Sequence, residues 1–297
     1  MADRTKGNIA LLLTALVWGS GFVAQRLGNE ILPPMTFNSI RQIMAGFVLL
    51  PVLTVSLHNS GYLSREKSTA SQISFRRRKA MIGGLICGVF MMVGSMTQQI
   101  GLVTIEAGKS GFISSIYIVF VPLFSVILGG SVKPRSLFCI AMAIAGFGVM
   151  SLKGGLGTIG KGDWITLISA ACFAAQIVAV SYFLDRNNDI LLSVIQMFFC
   201  GIVGIVIAMI LEHPEIGAVA EGLPLLLYMT FFPTATGFTL QIVGQKYTDS
   251  SSAALLMSLE SVFALVFGML ILHEMMSVRE MIGAGIIFAA TILGQRQ

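Results

Sequence analysis

Of the 297 residues in this chain, 55% are hydrophobic and 11% are charged, and the mean hydropathy is +0.86. Soluble domains carry about 25% charged residues, so the composition excludes a water-soluble enzyme or binding module and specifies an all-α integral membrane protein. The net charge of +5 is no nucleic-acid signal, because basic residues beside membrane spans mark the cytoplasmic side.

A helix needs about 20 mainly apolar residues to cross the hydrocarbon core. That criterion predicts ten spans, near 8–26, 36–57, 80–101, 107–129, 136–153, 163–184, 190–211, 222–244, 251–272 and 279–295. The start, MADRTKGNIALLLTALVWGSGF, is basic and then apolar as in a signal peptide. It lacks a small-x-small cleavage site and reads as an uncleaved first span. Between the second and third spans lies HNSGYLSREKSTASQISFRRRKA, expected to be a basic cytoplasmic loop over 58–79. Long continuous apolar runs exclude a β-barrel, whose strands are short and alternating. Pro51, Pro122 and Pro233 fall inside spans, where proline kinks a helix. Cys87, Cys139, Cys172 and Cys200 are isolated, with no CxxC, and read as reduced packing residues. Gly84 and Gly88 suit close helix packing. Trp164, at a span end, reads as an interfacial anchor.

An internal repeat runs through these spans. A shift of 155 residues aligns Leu12 with Leu167, Trp18 with Phe173, Arg41 with Gln196 and Gly46 with Gly201. Beyond the basic loop the shift becomes 143, pairing Gly94 with Gly237, Gln98 with Gln241, Ser115 with Ser258 and Tyr117 with Glu260. The expected organisation is one membrane domain over 1–297, with repeat one at 1–155 and repeat two at 156–297. An odd number of spans per repeat inverts the second copy in the membrane, the arrangement of secondary transporters whose substrate sites lie where the halves meet. With both termini inside, the cytoplasmic segments hold 13 Lys and Arg and the outer ones 5, so both termini are expected in the cytoplasm of a cell (plasma or inner) membrane protein.

Polar residues within spans are the candidate functional groups. Glu260 sits near mid-span, roughly 15 Å deep at the helical rise. It either binds a cationic group, carries a coupling proton, or ties helices together through hydrogen bonds. Arg41 is shallower and either snorkels to the interface or binds a substrate carboxylate or an internal acid. Gln98, Gln99, Gln176, Gln196 and Gln241 bond across helices, and the matched pair Gln98 and Gln241, with Gln176, are expected to line the path. Tyr117 mirrors Glu260. Trp18, Phe22 and Phe173 are candidate aromatic walls, with core packing as the alternative.

Several stretches carry a family resemblance. ALVWGSGFV resembles the first span of EamA-type members of the drug/metabolite transporter superfamily, and FNSIRQIMAGFVLL their second. SSSAALLMSLESVFALVFGMLILHE is similar to the ninth, MIGAGIIFAATILG to the tenth and GFISSIYIVFVPLFSVILGG to the fourth. The fourth span departs by ending in LGGS where the family often has Gly-Glu, while the ninth keeps HE at Glu274, a position read as structural. The resemblance implies a ten-helix bundle around a central cavity that moves small metabolites, often exporting amino acids, and names no substrate. With the inverted halves, the leading expectation is a secondary transporter working by alternating access, the halves rocking around a midplane site.

Two other classes are weighed against this. A membrane enzyme acting on lipid needs clustered acids near one interface; Asp185 and Asp189 share a loop without support, and no HExxH or GxSxG occurs. A channel needs rings of like polar residues, which the sequence lacks. No Walker A motif occurs, and no metal or cofactor is expected. The expected partners are a small-molecule substrate, the bilayer and, in one reading of Glu260, coupling protons. A monomer and a homodimer both fit, and nucleic acid is not a partner.

Overall fold

In a computed structural model, the structure describes residues 2–60, 69–127, 129, 134–151, 159–184 and 189–295, and these form helices joined by short connections. The first half contains α1 (Ala2–Ile31), α2 (Pro34–Ser60), α3 (Ala70–Gly101), α4 (Ala107–Ser114), α5 (Tyr117–Ile127) and α6 (Pro134–Ser151). The second half contains α7 (Lys161–Phe183), α8 (Asp189–Leu211), the short α9 (Ile216–Glu221), α10 (Leu223–Met229), a π-helical stretch (Thr230–Gly237) and α11 (Phe238–Gln245). It ends with α12 (Ser250–Met257), α13 (Glu260–Phe267), a second π stretch (Gly268–Leu272) and α14 (Val278–Gln295).

Against the ten spans expected, eight described segments are long and apolar enough to cross a membrane, and Leu137–Met150 is a shorter apolar helix within α6. Gly146 of α6 and Gly283 of α14 meet backbone to backbone: a Cβ on either would lie 2.8 or 2.6 Å from the other's carbonyl oxygen.

The basic loop is shorter than the expected 58–79. Residues 58–60 close α2, 61–68 lie outside the described residues, and α3 begins at Ala70. Thr69 and Gln72 form a capping box there. The Gln72 amide donates to Thr69 Oγ1 at 3.3 Å, and the Thr69 amide donates to Gln72 Oε1 at 3.0 Å. Helix initiation follows the cap rather than the hydropathy boundary, so the arginine run sits on a helix. The expected loop residue Asp185 also lies outside the described residues, whereas Asp189 starts α8.

Two predicted spans are broken in the middle, at positions related by the 143-residue shift. At the first break Ile116, Ile118 and Val119 donate to Ile113, Ser115 and Ile116, three residues back. At the second, Leu259, Ser261 and Val262 donate to Leu256, Ser258 and Leu259 in the same pattern. Serine hydroxyls compete for the carbonyls at both turns: Ser115 Oγ donates to Gly111 O at 2.9 Å, and Ser258 Oγ to Leu255 O at 2.8 Å. Back-bonding serines bend helices, and a tight 3₁₀-like turn marks a local break. Tyr117 and Glu260 are the first residues beyond the two breaks.

Carboxylates also hold helix ends across long sequence distances. Glu274 accepts from the Ala107 and Gly108 amides at 2.9 and 3.2 Å, capping α4. Glu212 accepts from the Met35 and Thr36 amides and the Thr36 hydroxyl at 2.7–2.8 Å, capping α2. Such acceptors satisfy orphan amides and favour the positive end of the helix dipole.

Close packing brings the elements together around a centre. Gly84 and Gly88 of α3 lie against Ile195 and Phe199 of α8. Gly83, Gly94 and Gly101 meet Phe183, Phe173 and Thr166 in turn, so α3 and α7 run antiparallel. The four cysteines are free, and Cys87, Cys139 and Cys200 are buried, as packing residues would be.

Candidate substrate cavity

The two mid-helix breaks and the first π stretch converge on one cavity. Its lining includes all nine residues singled out from the sequence: Trp18 and Phe22 of α1, Arg41 of α2, Gln98 of α3, Tyr117 of α5, Phe173 and Gln176 of α7, Gln241 of α11 and Glu260 of α13. Its volume is about 40 Å³, room for a few water molecules and far below the roughly 300–1,000 Å³ of ligand pockets.

Glu260 is 4% exposed and Tyr117 1%. The Tyr117 hydroxyl faces the Glu260 carboxyl without reaching hydrogen-bond geometry. Among the described residues the ion pairs are Asp3–Lys6, Lys109–Asp163 and Lys246–Asp189, so no basic side chain neutralises Glu260. The helix carrying it lies hard against α1. A Cβ on Gly19 would overlap Phe263 Cβ and sit 3.0 Å from Glu260 O.

Arg41 turns inward rather than snorkelling. It is 3% exposed; Nη1 donates to Thr234 Oγ1 at 2.9 Å, and Nη2 donates to Asn38 Oδ1 at 2.8 Å and Gln25 Oε1 at 3.5 Å. All three acceptors are neutral, and its buried Nε has no partner. Arg41 and Glu260 therefore line the same cavity without pairing with each other.

The amides divide into two groups. Gln241 Nε2 donates to Gln176 Oε1 at 2.8 Å, and Gln176 Nε2 to Gln196 Oε1 at 3.1 Å, a chain linking α11, α7 and α8. Gln196 thus supports the lining from behind. Gln98 Nε2 donates to Ser114 Oγ at 2.9 Å, next to the first break. Gln99 points elsewhere and ties α3 to α1 through Gln25 O and Asn29 Oδ1.

Trp18 forms a wall held in place by backbone chemistry. Its Nε1 donates to Pro233 O at 3.0 Å, and its ring lies 4.8 Å from Phe238. Pro233 sits within the π stretch, where a wide turn accommodates the missing amide. Gly237 has no side chain where a Cβ would come within 2.5 Å of Trp18 Nε1. Trp164, outside the cavity, is 49% exposed near the start of α7.

The lining also includes residues the sequence reading passed over, among them Gln25, Ser95, Met229 and Phe238. Gln25 was within reach: it lies seven residues after Trp18 and three after Phe22, on the same helical face. Phe238 and Met229 had no such signal, because the π stretch between them resets the helical register.

A long, mostly apolar helical chain with buried ionisable groups around one central cavity defines a membrane transport protein by class. The chain belongs to the EamA-like transporter family, whose model matches residues 5–152 and again 160–294. It is similar to an uncharacterized transporter of Archaeoglobus fulgidus, 29% identical over 98% of this chain and 86% of the relative. It is also similar to the uncharacterized inner membrane transporter YedA of Escherichia coli K12, 25% identical over 68% of this chain and 61% of YedA. A solved crystal structure shares the fold, with a TM-score of 0.65 and 17% identity over 95% of this chain and 94% of that one.

Proposed function

We propose that the protein is a secondary transporter that exports small amphoteric metabolites such as amino acids, by alternating access between two inverted repeats. One observation carries the reading of the cargo: Arg41 and Glu260 are buried against one cavity without pairing with each other. A solute with a carboxylate and an ammonium supplies the missing partner of each. A guanidinium fork matches a carboxylate, and Trp18, Phe22 and Phe173 offer apolar surface to a side chain.

The inverted repeats are supported by the matched breaks at Ser115 and Ser258, by the double match of the family model, and by the packing of corresponding elements. In that packing α2 lies on α8 and α6 on α14, each helix against its own repeat counterpart. Alternating access is supported by the size of the cavity: about 40 Å³ admits a metabolite only when the lining helices move apart. In this reading ten helices span a cell membrane with both termini cytoplasmic.

Counterflow in proteoliposomes tests the proposal. Vesicles loaded with an unlabelled amino acid mixture should accumulate a labelled amino acid, and Arg41→Gln should raise the half-saturating concentration about tenfold or more, the loss of a charge-assisted bond worth about 1.5–3 kcal/mol. Unchanged affinity in Arg41→Gln, or silence across a broad metabolite panel, would overturn it.

A further inference from the structure

A second concavity, of about 530 Å³, opens on the flank of the bundle between α3, α5 and α7. Ile86 and Phe90 of α3, Ile127 of α5, and Ala175, Tyr182 and Phe183 of α7 form its walls. It is separate from the central cavity, and Ile127 and Tyr182, 78% and 62% exposed, face outward. In a bilayer this groove lies open to acyl chains.

The charge lies at one end of it. Because α3 runs antiparallel to α7 with Gly83 on Phe183, the groove points toward the N-terminal extension of α3, which carries Arg76, Arg77, Arg78 and Lys79. Lys79 precedes Ile86 by seven residues, two helical turns, which places it on the same face about 10 Å away. Arg76 and Arg78 flank that stripe, whereas Arg77, nine residues before Ile86, faces the opposite side. Phe75, 69% exposed, continues the stripe with an aromatic of the kind that sits at membrane interfaces. A greasy slot leading to a cationic patch at that spacing complements one class of molecule.

We propose that the groove binds an anionic phospholipid, one acyl chain lying between α3, α5 and α7 and the phosphate resting on Lys79 with Arg76 and Arg78. The capping box at Thr69 gives this patch its purpose: starting the helix ten residues before the apolar run holds the basic residues in fixed register with the groove. Juxtamembrane basic residues attract anionic lipid, and the groove converts that attraction into a defined site.

Native mass spectrometry of the detergent-purified protein provides the test, with phosphatidylglycerol and phosphatidylcholine of identical chains as probes. Phosphatidylglycerol should occupy the protein at lower concentration, by roughly fivefold for each basic residue engaged. Arg76→Gln with Lys79→Gln should cut that preference to what Arg78 alone supplies, and adding Arg78→Gln should bring phosphatidylglycerol to the phosphatidylcholine level, while Arg77→Gln should keep the preference. Ala175→Phe, which fills the groove, should weaken both lipids. Equal retention of the two lipids by the unaltered protein would overturn the site. So would an equal loss from Arg77→Gln, which means diffuse attraction, or indifference to the charge substitutions, which means a neutral hydrophobic occupant. Elution volume on size exclusion confirms the fold of each variant.

Discussion

Replacing Glu260 with Gln separates a functional carboxyl from a structural one. The side chain is buried, faces Tyr117, and has no basic partner among the described residues. An uncompensated carboxylate at mid-membrane costs about 2.5–3.5 kcal/mol on insertion scales. Gln keeps the shape and one carbonyl acceptor while removing the ionisable group. If Glu260 serves cargo or a coupling proton, Glu260→Gln folds with equal or greater thermal stability, by up to about 3 kcal/mol, and counterflow falls tenfold or more with a flattened pH profile. A helix-tying role predicts the reverse, a loss of stability with transport kept. Melting in detergent and uptake at several pH values, measured on the same preparation, distinguish the two. Normal transport with an unaltered pH profile would refute the functional role.

Other substitutions probe the frame around the site. Lys109 Nζ lies 2.8 Å from Asp163 Oδ1, with the two side chains 13% and 3% exposed, so Lys109→Met should destabilise by about 3–5 kcal/mol, and Lys109→Met with Asp163→Asn should recover much of that in thermal melts. Glu274→Ala removes the acceptor for two amides at the start of α4 and should cost about 1 kcal/mol, read as a lower melting temperature; full stability would show that solvent or lipid replaces the cap. Gly237→Ala drives a methyl into the Trp18 indole and should cost about 1–3 kcal/mol by overpacking, while breaking the bond to Pro233 O and shifting the Trp18 emission. Trp164 contributes a constant background to that signal.

Much of the candidate site was legible in the sequence because the bilayer simplifies the reading. Where the surroundings are hydrocarbon, each polar residue within an apolar run stands out, and the repeat register adds a second coordinate. That is why Glu260, Tyr117, Gln98 and Gln241 could be singled out together, and why all nine candidates line one cavity. Arg41 was harder. Its depth allowed both snorkelling and burial, and only the neighbours Thr234 and Asn38, the first 193 residues away in sequence, turn it inward.

The sequence alone determined the membrane class and the approximate place of most helical segments, because hydrocarbon thickness and the cost of buried charge act on every residue locally. Tertiary structure decided the rest. It broke two helices at Ser115 and Ser258, widened a turn at Pro233 to receive the Trp18 indole, and left Arg41 and Glu260 around one cavity without joining them. The seat of the indole and the separation of Arg41 from Glu260 depend on which carbonyl or side chain arrives from a distant helix. The serine turns, local in their back-bonding, also meet there, Ser115 Oγ donating to Ser258 O at 3.2 Å. A local pattern carries no record of that arrival.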